Sequence, residues 1–203
     1  GQPFPTGYEP LTTLSAIAAR TSRIGLIGTA STTFVQPFNL ARQLSSLDWL
    51  SGGRAGWNLV TSQAGQEHFG MELPPADERY ARAEEYLALA KAFWDAWDDD
   101  AVVNDREAGV WARSDRIRPI RFEGRWHRAE GQLFQSRSPQ GWPVIVQAGQ
   151  SAAGIDFAAR NAEVVFTAQT DIDLARAFYR EVKERAAAAG RDPDAVRVLP
   201  GVT

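Results

Sequence analysis

Cysteine is absent from this 203-residue chain. That excludes disulfides, thiolate metal sites and cysteine nucleophiles, and it allows a reducing compartment. Histidine occurs only as His68 and His127, so a multi-histidine metal site is not expected. No run approaches the roughly 18 consecutive apolar residues of a membrane-spanning helix, and the opening residues do not form a signal-peptide pattern. Neither sign of charge dominates. With 22 basic and 25 acidic residues the net charge is −3, which argues against nucleic acid or an anionic membrane as partner. The expectation is a cytoplasmic protein with no metal, membrane or nucleic-acid partner.

What is present is an ordinary globular composition, 44% hydrophobic and 23% charged. The stretch Ser51–Ser62, SGGRAGWNLVTS, organises the rest. Gly52 and Gly53 suit a tight entry into a strand, because glycine reaches backbone angles that other residues avoid. Ala55–Val60 reads as a buried strand, yet Asn58 sits inside it, and a buried amide needs partners. Trp57, Asn58, Thr61 and Ser62 read as a strand end facing a polar ligand. A plain strand whose Asn58 bonds to neighbouring backbone fits the same letters.

Elsewhere, apolar spacing predicts helices over Leu11–Arg20, Pro37–Leu50, Asp77–Trp97 (with Asp77 as its cap), Ile155–Asn161 and Asp171–Ala189, capped by Asp171. Short apolar runs predict strands at Ile24–Ala30, Pro143–Gly149, Glu163–Ala168 and Val196–Gly201, of the kind buried on both faces of a parallel sheet. Ala64–Asp77, with two glycines and two prolines, reads as a loop. Asp98–Asp100 and Val102–Arg116 read as an acidic turn and a polar insertion. Ile117–Phe134 reads as a β-hairpin turning near Glu123–Gly124, with His127 as a surface histidine. Arg106, Arg113 and Arg116 hint at an anionic substrate or form a solvated basic face. Both ends, GQPFPTGYEP and VRVLPGVT, look cut.

Strands alternating with helices mean a parallel sheet, either a barrel or an open doubly wound sheet. Thr29, Asn58, Ser62, Ser151 and Thr167 fall at or just past strand C-terminal ends, where sites lie in both architectures. The hydroxyls Ser31, Thr32 and Thr33 line a site or serve as loop caps. Tyr80, placed in the first turn of its helix, brings a hydroxyl to the positive end of the dipole; a core anchor is the plain alternative. Gly149, Gln150 and Ser151 lead from strand into helix, the arrangement of a phosphate cradle at a helix N-terminus, or simply a tight turn. A Walker loop is excluded, since the lysine is missing.

Taken together, GTASTT (Gly28–Thr33), PFNLARQLSSLDWLSGGRAGWNLVTS (Pro37–Ser62), DERYARAEEY (Asp77–Tyr86), SPQGWPVIVQAGQSAAG (Ser138–Gly154) and AEVVFTA (Ala162–Ala168) resemble the bacterial luciferase-like, flavin-dependent monooxygenases. The branch is that of nitrilotriacetate monooxygenase component A, dibenzothiophene-sulfone monooxygenase and long-chain alkane monooxygenase. The resemblance implies a (β/α)8 TIM barrel, here one truncated domain over residues 1–203 with an insertion at 98–137. It implies FMN, taken up as FMNH2 from an NAD(P)H:flavin reductase. It implies O2 as co-substrate, one of whose atoms enters a small organic substrate by way of a C4a-peroxyflavin. A homo-oligomer is the expected assembly.

Carried over by position, Asn58 and Ser62 match flavin contacts, and Thr29 matches a residue near the isoalloxazine ring. Tyr80, Gln150 and Ser151 match contacts to the FMN phosphate. No catalytic residue is matched. His68, in the loop after the central strand, is the one candidate to approach the site mouth, against an ordinary solvated histidine. Five strands are visible where the barrel has eight. An F420-dependent oxidoreductase of the same superfamily and a non-catalytic flavin-binding relative are the alternatives.

Overall fold

The computed structural model describes residues 7–201; the first six residues of the opening loop-like run and the final two residues lie outside the described part. The chain runs α1 (Pro10–Ala18), β1 (Leu26–Ser31), α2 (Pro37–Ser51), β2 (Ala55–Val60) and α3 (Ala76–Trp94). Two hairpins follow, β3 (Val102–Asp105) with β4 (Val110–Ala112), and β5 (Ile120–Glu123) with β6 (Arg128–Gly131). The chain then returns to alternation with β7 (Val144–Gln147), α4 (Ala152–Asn161), β8 (Val164–Thr167), α5 (Ile172–Ala188) and β9 (Arg197–Pro200).

β1, β2, β7, β8 and β9 form one sheet, in that order and all parallel. Strand order follows chain order without reversal. A doubly wound sheet reverses at a switch point, so this order selects the arc of a (β/α) barrel. The register fixes two faces. Leu26, Trp57, Leu59, Ile145 and Val165 are buried in one core with the helices. The other face carries the row Thr29, Asn58, Val146, Val164 and Arg197. Burial on both faces, expected from the apolar runs, does not hold for β1 and β8. Ile27 is 46% and Phe166 43% exposed, because the helices cover one face only.

The main core is filled by Leu40, Leu44 and Leu47 of α2, Tyr86 and Phe93 of α3, and Phe157 of α4. Each fully buried side chain of this kind contributes about 1.5–3 kcal/mol. Helix starts follow local chemistry. Glu9 caps α1 by accepting from Leu11 N and Thr12 N at 3.0 and 2.6 Å, and Pro10 supplies the preset φ of the first helical position. Asp171 caps α5 as expected, accepting from Asp173 N and Leu174 N at 2.9 Å. Asp77 does not cap α3. The extended Pro75 is the boundary residue, without a side-chain bond, and Asp77 and Glu78 lie inside the first turn, where their charge complements the dipole. Tyr80 is therefore in the second turn rather than the first.

The glycine entry reads as expected: Gly52 and Gly53 have φ of 66° and 84°. Arg54, the next residue, ties the lower edge together. Its guanidinium donates to the carbonyls of Ala18, Thr21, Ile24 and Ser51 and to Thr21 Oγ1. Beside it Asp48, with no exposure, accepts from Ala55 N at 3.3 Å and from Gln140 N and Nε2 at 2.9 and 2.6 Å. A buried carboxylate is tolerable because these donors compensate its lost hydration.

The segment after α3 holds two hairpins where one was expected. β3–β4 escaped notice because its strands are four and three residues long, and most of their residues are exposed. Arg113 and Arg116 form no open basic face. They pair with Asp98, Asp100 and Asp115 at 3.6–3.9 Å. The second hairpin docks on α3 through Glu85, whose carboxylate accepts the N–H groups of Arg125, Trp126 and His127 at 2.7, 2.8 and 2.6 Å. His127 is not a surface residue. Its ring stands edge-on to Tyr86 at 5.4 Å, and burial, with Arg82 nearby, holds the imidazole below its ordinary pKa despite Glu85.

Candidate functional site

Two groups of side chains gather at the C-terminal ends of the parallel strands. The first lies on β1 and β2. Parallel register sets Thr29 opposite Asn58, and Asn58 Nδ2 donates to Thr29 Oγ1 at 3.0 Å. Asn58 Oδ1 is buried and has no partner among the described residues. One turn higher, Ser31 Oγ and Ser62 Oγ are 2.7 Å apart. Ser62 has φ of 59°, a left-handed conformation rarely taken by non-glycine residues and often found at functional sites. Thr33 steadies this corner by donating to Thr61 O at 2.7 Å.

The second group surrounds the start of α4. Ser151 is its N-cap, accepting from Gly154 N at 3.1 Å. The next amides of the first turn, Ala152 and Ala153, have no intrahelical acceptor, as at every helix start. Tyr80 reaches this point from α3. A Cβ on Gly149 would lie 2.6 Å from Tyr80 Oη, and one on Gly154 would lie 2.7 Å from it. Two glycines therefore admit the phenol to the turn. Free amides, the Ser151 hydroxyl, a phenol and the positive end of a helix dipole make a donor set suited to a phosphate dianion. The unpartnered Asn58 Oδ1 suits an N–H of a flat heterocycle. The residues present thus fit an FMN-like group at both of its polar ends.

A comparison with protein families matches residues 1–203 to the luciferase-like monooxygenases. The chain belongs to that family. The N-acetyl-S-(2-succino)cysteine monooxygenase of Bacillus subtilis is 45% identical over 205 residues, covering 97% of this chain and 45% of that protein. Nitrilotriacetate monooxygenase component A of Aminobacter aminovorans is 46% identical, covering 96% and 44%. The crystal structure of a riboflavin lyase with modified FMN and riboflavin superposes with a TM-score of 0.93 at 34% identity, covering 97% of this chain and 45% of that one. The chain spans a little under half the length of the relatives it matches. Its five-stranded parallel sheet with outer helices is part of the luciferase-like TIM barrel.

Within this luciferase-like arc the remaining candidates separate. Gln150 is exposed, and its Oε1 accepts from Gln169 Nε2 at 3.1 Å, with its own Nε2 donors outside that bond. His68 rides on a short 3-10 helix, Gln66–Phe69, bounded by Gly65 and Gly70 in left-handed conformation. It is exposed, with Nε2 3.8 Å from Glu67, and no hydrogen bond joins it to either group among the described residues. Phe69 stacks on Phe34 at 4.5 Å, tying this loop to the one after β1. Thr167 faces the helices rather than the site row. It is buried, its Oγ1 lacks a partner among the described residues, and it lines a cavity of about 750 Å³ with Asp173, Arg176, Tyr179, Val198 and Pro200. That cavity lies between α5 and the outer face of β8 and β9, and none of its lining residues belongs to either polar group. Among the described residues no helix is long and apolar enough to cross a membrane.

Two positions were missed in the sequence. Ser31 was read only as part of a hydroxyl cluster, yet it is the partner that holds Ser62. Gln147 falls inside the strand expected at Pro143–Gly149 and carries no role there. A polar residue closing a strand just before a glycine turn was the available signal.

Proposed function

We propose that the complete protein is an FMNH2-dependent monooxygenase of a two-component system, which inserts one oxygen atom from O2 into a small organic substrate. The observation that carries this reading is the wedging of Tyr80 Oη between Gly149 and Gly154 at the start of α4. Residues 1–203 are then part of a single barrel domain, with 98–137 as an insertion. Tyr80, the Ser151 hydroxyl and the backbone from Gln150 onward hold the FMN phosphate. Asn58 offers its free Oδ1 to the ring, with Thr29 fixing the orientation of the amide. Ser62, locked by Ser31, sets the backbone beside the ring. When bound, reduced FMN supplies the electrons that activate dioxygen, and the protein's task is to bind, orient and exclude water. An NAD(P)H:flavin reductase is the partner that delivers FMNH2.

The test is oxygen uptake by the full-length protein with a reductase, NADH, FMN and a panel of thioethers and aminopolycarboxylates, the classes named in the two relatives. Oxygenated product that requires the reductase and FMN is the expected result. Hydride transfer to or from F420 without oxygen uptake would overturn the proposal.

A further inference from the structure

Gln147 is the last residue of β7 and only 2% exposed. An amide buried to this extent is costly unless it is hydrogen-bonded. Its Oε1 accepts the N–H of Gly149, two residues along the same turn. The side chain also crowds the turn. A Cβ on Gly149 would meet Gln147 Nε2 at 2.9 Å and Oε1 at 3.1 Å, in the space where Tyr80 Oη also lies at 2.6 Å. Gly149 in turn packs under the helix start, its C and Cα 3.0 Å from where a Gly154 Cβ would stand. Gln147, Gly149, Tyr80 and Gly154 are thus one packed unit at the head of α4.

We infer that Gln147 is a positioning residue for the anion site. By accepting the Gly149 N–H it withdraws that donor from any ligand and fixes the turn. The Ser151 hydroxyl and the first amides of α4 are then the groups aimed at the phosphate. Gln147 does not touch the ligand; it acts through the turn. The neutral amide suits this task, since a carboxylate there would set a negative charge beside a dianion. The inference rests on the phosphate reading given under the proposed function.

The experiment compares reduced FMN with reduced riboflavin, which lacks the phosphate, in anaerobic titrations of the full-length protein. Wild type and Gln147→Met, which keeps the side-chain length but loses the acceptor, are titrated side by side. Wild type is expected to prefer FMN. Gln147→Met is expected to lose about tenfold of that preference while its affinity for riboflavin stays unchanged, the size of one well-placed hydrogen bond. Unchanged preference, or parallel loss of both affinities, would overturn the inference and leave the phosphate reading intact. Equal affinity of wild type for both flavins would remove the reading and the inference together. A wild-type measurement stands should the variant not fold. With 15N-labelled glycine and serine, the Gly149 amide resonance is expected to be alike in the riboflavin and FMN complexes while that of Ser151 moves. A large shift of Gly149 specific to FMN would mark it as a phosphate donor and overturn the inference.

Discussion

Replacing Gly154 by alanine sets helix propensity against packing. Gly154 is the third helical residue of α4 and is buried. In an open helix the change would stabilise by about 1 kcal/mol. Here the new methyl would stand 2.7 Å from Tyr80 Oη and 3.0 Å from Gly149 C and Cα. Two of those three atoms are backbone and cannot rotate away. Overpacking of this kind costs about 1–3 kcal/mol, so after the propensity gain a net loss of up to about 2 kcal/mol is expected. Tyr80 and the turn must also shift by some tenths of an ångström, and reduced-FMN affinity should fall about tenfold, since hydrogen-bond geometry at a charged group is steep. Adding Tyr80→Phe removes the hydroxyl but not the Gly149 contact. The double variant should regain about 0.5–1 kcal/mol of stability, the low end of coupling between touching residues, without regaining affinity. Urea denaturation and anaerobic flavin titration of the full-length protein read both quantities. A Gly154→Ala protein more stable than wild type, indifferent to Tyr80→Phe and unaltered in affinity, would refute the packing described for the turn.

Three further outcomes test other joints of the structure. Glu85→Ala leaves the three amides of the β5–β6 turn without their acceptor and should cost about 1–3 kcal/mol in urea denaturation, with proteolysis appearing first at that turn. Asp48→Ala should cost about 1–3 kcal/mol by urea denaturation, since it removes the acceptor of the buried Ala55 N and of the half-buried Gln140 N, while Gln140 Nε2 keeps Ala55 O; Asp48→Asn, which keeps one oxygen acceptor, should cost less. His127 is held below its ordinary pKa of 6.5, chiefly by burial, so the unfolded chain binds its proton more readily than the folded one. Stability from this residue is complete above pH 6.5 and declines as pH falls below it. Denaturation midpoints against pH should show that decline in wild type and a flatter profile in His127→Phe.

The arc of the barrel was legible because each buried strand is a short apolar run and each helix has regular spacing. Strand order was legible only as alternation; the pairing that excludes a reversal comes from the register of β1, β2 and β7. The cap of α3 misled because Asp77 is a favoured capping residue, while the extended Pro75 at the boundary needs no side-chain bond. The site was legible residue by residue and not as a site. Spacing put Tyr80 on a helix face but could not show its hydroxyl meeting glycines about seventy residues later. The role of Glu85 carries no local signal, since a turn forty residues on must fold back before its amides meet the carboxylate. The Ser31–Ser62 pair was hidden for the same reason: Ser31 ends β1 and Ser62 lies just past β2, with α2 between them in the chain.

The most direct measurement is an anaerobic titration of the full-length protein with reduced FMN, oxidised FMN and F420, repeated with Tyr80→Phe and Ser151→Ala. The account predicts clear preference for reduced FMN, weakened about tenfold or more by each substitution, as loss of a hydrogen bond to a charged group implies. Preference for F420, or reduced-FMN affinity unchanged in both variants, would contradict it.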